Sequence, residues 1–443
     1  MAQNIGAEIV GDSAAFSKVV IDSRVAEPDS LFVALPGTKD DGHRYVESAF
    51  QAGACGAMVD SAHVQELNLI PLAQQYRRPL VIVNNTVQAL QAAAAFHLSR
   101  FPRLLRIGIT GSSGKTTTKE LAASMISQEY SVVTNSGNFN SDIGFPLTVF
   151  SVRETHDVGI FELGMNHRGE IRTLTQILRP HIALITTIGA AHIGNIGSLD
   201  GIAAEKKAIF SAFSGTEVAF IPIDSDYHNF LSEGVDGRVI LYEELMDSYT
   251  YGIKGTTVWI NGKAAHCVLS GQHNVHNISA AIALARVVPV STAAICKGLA
   301  EFKPLFGRGE IIHGIVTIIC DCYNANPESM EAAIDWCDGV RWHGKKCYIL
   351  GAMKELGQET QNAHNRLGEL AAHSQADIVC FFGAETESAF EIFGQQSTVL
   401  SFFTENIEKL SRFLVEHINP GDLVLLKGSR ACALERLVGI LNN

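Results

Sequence analysis

The sequence predicts an α/β fold of three domains, built from mostly parallel sheets that are covered by helices. Short apolar runs alternate with amphipathic helical patterns along the chain, which is typical of parallel sheets. At 443 residues the chain is too long for one ordinary hydrophobic core. The 47% of apolar and 18% of charged residues are ordinary for a globular enzyme and exclude a disordered chain.

Composition and charge also exclude several functions. The net charge of -12 argues against a broad nucleic-acid-binding face, because such a face is basic. We find no apolar run long enough for a membrane span and no signal-peptide pattern at the start of the sequence. The nine scattered cysteines fit reduced thiols, and Cys320 and Cys322 lie too close together for the usual zinc pair. We therefore expect a cytoplasmic protein, and a monomer, since nothing in the acidic composition requires a partner.

Three blocks of alternating pattern divide the chain. The first, residues 1–102, ends after the helical pattern AAAAFHLSR, and the second, residues 103–308, opens with the strand LLRIGIT and ends in a turn rich in proline and glycine. The second block also holds the strands VGIFEL and IALITTI, a helix from Asn274 and short alternating strands over residues 249–269, predicted as an insertion or edge hairpin. The third, residues 309–443, has the strands IVTIICD, KCYIL, DIVCFF and DLVLL and is predicted to be a doubly wound, Rossmann-like domain.

The strongest local motif is TGSSGKTTT at residues 110–118, between a strand and a helix. Its backbone amides and the positive end of the helix dipole favour phosphate oxygens. Lys115 would contact the outer phosphates and the Thr116 hydroxyl would bind Mg²⁺. Ile109 replaces the first glycine of the strict pattern, and a plain glycine turn is the alternative. We interpret the motif as a nucleoside triphosphate site, which kinases, GTPases and ligases all use, made of the following residues: Gly111, Ser112, Ser113, Gly114, Lys115, Thr116 and Thr117.

Two further polar residues follow predicted strands of the same block. Glu162 ends the strand VGIFE, and His192 follows IALITTI. Because ligands of open α/β sheets bind at the carboxyl ends of the strands, we expect both residues near the phosphate loop. A carboxylate suits Mg²⁺, whereas a histidine is an unusual ligand, and either residue alone could be structural.

Longer motifs give the chain a family resemblance. GSSGKTTT, GNFNSDIG, FELGMNHRGEI, AAHIGNIGS, AAEKKAIF, GQHNVHN, GRGE, DCYNANPESM and LKGSR occur in the order and spacing of Mur ligases. IDSRVAEPDSLFVALPG and DDGH are similar to the first domain of that family. The resemblance covers nearly the whole chain, and ELGMNH and YNANP are similar to the subgroup that adds D-alanyl-D-alanine.

The resemblance implies a division of labour among the domains. The first domain would bind a uridine-linked substrate, the central domain would be a P-loop ATPase, and the Rossmann-like third domain would close over the site. ATP would phosphorylate the terminal carboxylate of UDP-N-acetylmuramoyl-tripeptide. The amine of D-alanyl-D-alanine would then attack the acyl phosphate, giving the UDP-linked pentapeptide, ADP and phosphate.

The resemblance also implies site residues and cofactors. Catalysis would use Lys115, Glu162, His192 and Lys206. Two Mg²⁺ ions would be held by Thr116, Glu162, His192 and Lys206, the last as a carbamate derived from CO₂. The nucleotide would contact Asn274, Asn277, Arg308 and Asp321 besides the phosphate loop. The two other substrates would contact Ser23, Arg24, His43, Asn138, Asn140, Asn166, His167, Tyr323, Asn324, Asn326, Lys427, Ser429 and Arg430.

Some alternatives remain open at this point. Lys207 competes with Lys206 for the register of the carbamate, and a solvent-exposed helix lysine is the simplest interpretation of either. Asn274 could be a helix N-cap. Cys322 and Ala352 depart from the family pattern, which has serine and aspartate there. Other functions are a Mur-type ligase with a different amine substrate, a non-catalytic nucleotide-binding subunit, or a P-loop kinase or GTPase.

Overall fold

The computed structural model describes residues 2–37, 40–243 and 245–442. It contains three α/β units in sequence order, each built around its own sheet. The predicted α/β class with mostly parallel sheets is confirmed. The domain boundaries predicted at residues 102 and 308 fall in the connections that lead into the second and third sheets.

The N-terminal domain has a five-stranded sheet of order β1-β5-β4-β3-β2, in which only the pair of β1 and β5 is antiparallel. Its elements are β1 (Glu8–Val10), β2 (Lys18–Val20), β3 (Ser30–Val33), α1 (Val46–Gln51), β4 (Gly56–Asp60), α2 (Ser61–Glu66), α3 (Leu69–Tyr76), β5 (Leu80–Val83) and α4 (Thr86–Ser99). The side chain of Asn85 caps α4 by accepting from the backbone amide of Gln88. The predicted helical pattern AAAAFHLSR lies in α4.

The central domain has a parallel six-stranded sheet of order β11-β10-β9-β6-β8-β7. Its elements are β6 (Leu105–Thr110), α5 (Lys115–Ile126), β7 (Val132–Thr134), α6 (Gly144–Val149), β8 (Val158–Glu162), α7 (Glu170–Leu178), β9 (Ile182–Ile185), α8 (Ile193–Ile196), α9 (Leu199–Lys207), β10 (Val218–Pro222), α10 (His228–Ser232), β11 (Arg238–Tyr242), β12 (Ser248–Gly252), β13 (Gly255–Ile260), β14 (Lys263–Cys267), α11 (Gln272–Val287) and α12 (Thr292–Glu301). Strand β6 lies between β8 and β9, so the three strand ends singled out in the sequence are neighbours.

The short strands predicted over residues 249–269 form a separate antiparallel sheet of order β12-β13-β14. Asn261 and Gly262 connect β13 to β14 with φ values of 49° and 73°. Asparagine and glycine accept such left-handed values at low cost, which makes this pair a favourable hairpin turn. Helix α11 follows the hairpin and packs on α5, the helix of the phosphate loop.

The C-terminal domain has a six-stranded sheet of order β15-β16-β20-β17-β18-β19. Its elements are β15 (Glu310–His313), β16 (Thr317–Asp321), α13 (Pro327–Gly339), β17 (Lys346–Gly351), α14 (Thr360–His373), β18 (Ile378–Phe382), α15 (Glu387–Gln396), β19 (Leu400–Thr404), α16 (Ile407–His417), β20 (Leu423–Lys427) and α17 (Arg436–Leu441). The four predicted strands are β16, β17, β18 and β20. The edge strands β15, which is antiparallel, and β19 were not predicted.

The apolar cores are shared unevenly among the three domains. One continuous core runs from the N-terminal sheet through α4 into the central domain, and each of these two domains also has a core of its own. The C-terminal domain is built around two separate cores. Ile193 and Ile253 are the central-domain residues that pack against those C-terminal cores in the described part of the chain. The C-terminal domain therefore meets the central one mainly through polar groups. Over the described ranges, every helix is too short or too polar to cross a membrane.

Candidate active site

A cavity of about 980 Å³ lies between the central and C-terminal domains, at the carboxyl ends of β6, β8 and β9. It brings together most of the residues predicted from the sequence. The predicted residues on its wall are Ser112, Ser113, Gly114, Lys115, Thr116, Thr117, Asn138, Asn140, Glu162, Asn166, His192, Asn274, Asn277, Arg308, Asp321, Tyr323, Asn324, Asn326, Lys427, Ser429 and Arg430.

Two glycines of the phosphate loop are required by close contacts. A Cβ atom on Gly111 would lie 1.8 Å from the Thr186 hydroxyl oxygen, and one on Gly114 would lie 2.2 Å from the side-chain oxygen of Asn277. Gly114 also has a φ of 79° and is the N-cap of α5. The loop therefore packs directly against the strand end of β9 and against α11, and the amides of Ser112 and Ser113 donate to Thr187 just beyond that strand.

Lys115 begins α5 and bends back over the loop. Its Nζ donates to the carbonyl oxygen of Gly111 at 2.7 Å and to that of Ser112 at 3.4 Å. Burial lowers the pKa of Lys115, the nearby Glu162 opposes that shift and Arg308 adds to it. The ammonium group is thus held over the phosphate loop, as a lysine that contacts phosphate would be.

Glu162 ends β8 and is 4% exposed. Thr116 Oγ1 donates to one of its carboxylate oxygens at 2.6 Å, and Asn140 Nδ2 donates to the other at 2.7 Å. The buried Asn135 exchanges hydrogen bonds of 2.9 Å with the backbone amide and carbonyl of Glu162. The hydroxyl and the carboxylate are adjacent hard oxygen donors, which fits a Mg²⁺ ion between them.

His192 lies at the N-cap of α8 with a φ of 64°, a left-handed value that costs energy for a residue other than glycine. Its Nδ1 is buried and lies 2.6 Å from a carboxylate oxygen of Glu355 in the C-terminal domain. The two atoms are close, but the contact does not have the geometry of a linear hydrogen bond.

Lys206 and Lys207 have different environments. Lys206 is 1% exposed, and within the described residues its ammonium group makes no hydrogen bond or ion pair. Burial lowers the pKa of Lys206 well below its usual value, the charge of Lys115 adds to that effect, and Glu205 and Glu162 oppose it. Lys207 instead points to the surface, where its Nζ donates to the carbonyl oxygen of Phe230 at 2.6 Å.

Asn274 and Asn277 lie in the first turns of α11 and face the phosphate loop. Asn277 Nδ2 donates to Asn274 Oδ1 at 3.1 Å, and Asn274 Nδ2 donates to the carbonyl oxygen of Ser270 at 2.8 Å. The N-cap of α11 is Gly271, so the interpretation of Asn274 as an N-cap is wrong. The helix starts two residues earlier than the pattern predicted, and Asn274 lies inside its first turn.

Residues of the C-terminal domain complete the opposite wall of the cavity. Lys427 is buried, and its Nζ donates to Asp321 at 2.7 Å and to the carbonyl oxygen of Asn324 at 3.0 Å. The Arg308 guanidinium lies 4.0 Å from the centre of the Tyr323 ring. Asp321 is thus paired with Lys427.

The remaining predicted residues of the cavity have structural contacts as well. Asn326 caps α13 with a capping box that includes Ser329. The Ser429 hydroxyl accepts from the amide of Lys354 at 3.0 Å. Arg430 forms an ion pair with Glu435, and Asn138 forms a hydrogen bond with Tyr323 across the two domains. The backbone amides of residues 166 and 167 both donate to Glu170, and His167 does not line the cavity.

The predicted residues of the N-terminal domain lie outside this cavity. Arg24 is exposed and pairs with Asp22 at 2.7 Å, and Ser23 is half-buried beside it. His43 is 1% exposed, its Nε2 accepts from the amide of Asp60 at 2.9 Å, and its ring stacks on His63. His43 therefore supports the fold of this domain, and its predicted role beside a uridine-linked substrate stays a prediction.

Sequence reasoning did not identify Asn135, Glu328 and Glu355 as site residues. Asn135 positions Glu162, and the Glu328 carboxylate accepts from the amide of Ala190 at 2.7 Å across the domain boundary. No local pattern could have identified Glu328, because its partner is 138 residues away. Both departures from the family pattern, Cys322 and Ala352, are buried away from the cavity wall.

Comparisons with known sequences match all three domains. The family description "Mur ligase family, catalytic domain" matches residues 15–97, "Mur ligase middle domain" matches 109–285, and "Mur ligase, glutamate ligase domain" matches 307–430. The UDP-N-acetylmuramoyl-tripeptide--D-alanyl-D-alanine ligase of Treponema pallidum is 42% identical, over 96% of this chain and 94% of that protein. The protein of the same name from Bacillus subtilis is 32% identical, over 95% and 92%.

Solved structures give the same result. MurF from Acinetobacter baumannii superposes with a TM-score of 0.88 at 29% identity, covering 99% of this chain and 97% of that one. MurF ligase from Thermotoga maritima in complex with ADP superposes with a TM-score of 0.82 at 25% identity, covering 96% and 97%. The resemblance found in the sequence motifs is confirmed, and this chain belongs to the Mur ligase family.

Proposed function

We propose that this chain is an ATP-dependent ligase that joins D-alanyl-D-alanine to UDP-N-acetylmuramoyl-tripeptide, giving the UDP-linked pentapeptide, ADP and phosphate. The observation that carries the proposal is the convergence of Lys115, Glu162 and His192 on one cavity between two domains. A kinase or GTPase needs the phosphate loop, but it does not need a C-terminal domain that forms the opposite wall of the cavity.

The first step transfers the γ-phosphoryl group of ATP to the terminal carboxylate of the tripeptide. A bond forms between the carboxylate oxygen and phosphorus, and the bond from phosphorus to the β-phosphate oxygen breaks. Both reactants are anions, so cations have to neutralise them. Lys115, held over the loop by Gly111 and Ser112, supplies one such charge next to the phosphates.

The residues around Glu162 would hold the ATP-linked Mg²⁺. Thr116 and Glu162 supply its oxygen ligands, and Asn140 and Asn135 keep the carboxylate in place. Bound there, Mg²⁺ would neutralise phosphate oxygens and draw electrons from the transferred phosphorus. His192 lies on the same wall and would contact a second ion.

Lys206 would carry a carbamate that contributes to that second ion site. A neutral amine attacks CO₂, loses a proton and becomes an anion, so the modification needs a lysine that is not protonated. The lowered pKa of Lys206, caused first by burial and then by Lys115, supports this reaction. The exposed setting of Lys207 supports the choice of Lys206 over its neighbour.

The second step forms the amide bond. The amine of D-alanyl-D-alanine attacks the carbonyl carbon of the acyl phosphate, and the tetrahedral intermediate collapses as the bond to the phosphate oxygen breaks. Arg430, Lys427 and Ser429 stand on the cavity wall opposite the phosphate loop, where they can contact the departing phosphate or the dipeptide. Asn274 and Asn277 would contact adenine, with Arg308 and Asp321 near the phosphates and ribose.

Phosphate release from ATP and Mg²⁺ tests the function directly. We expect release only when UDP-N-acetylmuramoyl-tripeptide and D-alanyl-D-alanine are both present, together with a pentapeptide product mass. Release with that acceptor and another amine would instead indicate a different member of the superfamily. No release with any pair of substrates, despite tight ATP binding, would indicate a non-catalytic nucleotide-binding subunit. A measurement of the molecular mass in solution would test whether the protein is a monomer, as expected. Fractionation of cells would test whether it is cytoplasmic, as expected.

A further inference from the structure

An acidic residue of the C-terminal domain faces the histidine of the central-domain site. Glu355 follows β17 and its side chain is 53% exposed, yet one carboxylate oxygen lies 2.6 Å from the buried Nδ1 of His192. Both residues have left-handed backbones, with φ values of 64° for His192 and 66° for Glu355. Such values in residues other than glycine persist only where the surroundings impose them, and they occur often at functional sites.

The two backbones also meet directly beside this pair. The amide of Gly194 donates to the carbonyl oxygen of Glu355 at 3.2 Å. A Cβ atom on Gly357 would lie 2.6 Å from the Gly194 Cα, and one on Gly194 would lie 2.5 Å from the Gly357 nitrogen. The contact is therefore possible only because both positions are glycines, and it brings the loop after β17 against α8.

A carboxylate at this position has a clear effect on the imidazole. A histidine that binds a metal through one ring nitrogen usually donates the proton on the other nitrogen to a carboxylate or carbonyl, which fixes its tautomer and its orientation. With Nδ1 facing Glu355, the Nε2 atom is the one left for a ligand. Within the described residues, no central-domain group forms a hydrogen bond with His192 Nδ1, and the charged group close to this atom is Glu355 of the other domain.

We infer that Glu355 is a positioning residue that orients His192 from the opposite domain, so that the second metal site is complete only when the C-terminal domain is docked. This inference rests on the proposed function, because it takes His192 as a group beside the second Mg²⁺. The inference adds to the proposed function the residue that sets the orientation of His192. Docking of the Gly194 and Gly357 backbones is then coupled to metal binding.

Metal binding tests the inference without turnover. We would titrate the full chain with Mn²⁺, read by electron paramagnetic resonance, in the presence of a non-hydrolysable ATP analogue and UDP-N-acetylmuramoyl-tripeptide. The wild-type protein is expected to bind two Mn²⁺ ions. Glu355→Gln keeps the size of the side chain but removes its charge, and should weaken the second ion by about tenfold or more with the first unchanged. Glu359→Gln, which alters a nearby carboxylate in contact with Asn362, should match the wild type.

A second variant separates docking from the carboxylate. Gly357→Ala leaves Glu355 in place but obstructs the approach to Gly194, and it should weaken the second Mn²⁺ ion as Glu355→Gln does. Gly421→Ala is the matched control, since Gly421 has a φ of 89° in the same domain and open space around its Cβ position. Thermal unfolding of every variant verifies that it is folded.

Three outcomes would overturn the inference: a single Mn²⁺ ion in the wild type, two unchanged affinities in Glu355→Gln, or two unchanged affinities in Gly357→Ala. Pentapeptide synthesis by the wild type is measured on the same preparation. If synthesis is present while Glu355→Gln binds both ions normally, the inference fails and the proposed function stands. If the Mn²⁺ differences appear without synthesis, the proposed substrates are wrong and the positioning role remains.

Discussion

Lys206 has an environment that disfavours an ammonium ion. It is 1% exposed, lacks a hydrogen bond or ion pair within the described residues, and lies close enough to Lys115 for that charge to lower its pKa further. An unpaired buried cation is costly, so the residue is expected to be neutral or modified. A carbamate would replace the unfavourable positive charge by a negative charge that a metal ion can bind.

Lys206→Ala is therefore expected to lower kcat by about 100-fold or more. Addition of acetate or propionate should restore part of the activity, because a small carboxylate can occupy the space of the missing carbamate. Lys207→Ala is the matched control, and it should change kcat little because the hydrogen bond and the cation–π contact of that ammonium group both go to Phe230, outside the cavity. Full activity of untreated Lys206→Ala would contradict the proposed role.

Gly114 is a second position at which a single added atom, the Cβ of an alanine, should disturb ATP binding. An alanine there has to adopt a φ of 79°, at a cost of about 1–2 kcal/mol, and its Cβ meets Asn277 at 2.2 Å. Gly114→Ala should weaken ATP binding by about tenfold or more, measured by calorimetric titration. Gly234→Ala carries the same kind of backbone penalty, with a φ of 67° and open space, and should bind ATP like the wild type. Equal ATP affinity in Gly114→Ala would show that the loop does not bind phosphate.

The sequence allowed part of this site to be predicted, for a physical reason. Lys115, Glu162 and His192 each follow a strand of one parallel sheet, and such strand ends converge whatever their separation in sequence. The sequence could not decide whether Lys206 or Lys207 is the site residue. That choice depends on which side chain is buried, and a helix pattern does not determine it. Glu328 and Glu355 act across a domain boundary, and that boundary is formed by long-range packing.

At the scale of elements, α4 joins two sheets. Its residues Ala93, Ala94 and Leu98 are at most 1% exposed and belong to the core that continues into the central domain. The helix was predicted from its pattern, and so were the four buried strands of the C-terminal sheet. The edge strands β15 and β19 were missed because all their residues except Thr404 are half-buried or exposed, and they lack a long apolar run.

Leu98→Ala is expected to lower the free energy of unfolding by about 2–5 kcal/mol, because it leaves a cavity in the shared core. Urea denaturation followed by circular dichroism measures the change. Leu400→Ala, at a leucine that is 43% exposed, should alter stability by only about 0.5 kcal/mol. Equal effects of the two substitutions would contradict a shared core around α4.

At the scale of the whole molecule, the distribution of cores predicts two cooperative units. The N-terminal and central domains each have a separate core, but they also share one and should therefore unfold together. The C-terminal domain shares no core with them and meets the central domain mostly through polar contacts such as Glu328 with Ala190. Contacts of this kind can break and form again without loss of either core, as domain closure around substrates requires.

Differential scanning calorimetry should accordingly resolve two transitions in the ligand-free protein. Leu350→Ala, in a C-terminal core and 0% exposed, should lower the Tm of one transition only, and Leu98→Ala should lower the Tm of the other. The non-hydrolysable ATP analogue, Mg²⁺ and UDP-N-acetylmuramoyl-tripeptide together should bring the transitions closer, because ligands that bind both domains stabilise the docked state. A single transition that both substitutions lower equally would mean that the domains unfold as one unit, and closure would then need a different explanation.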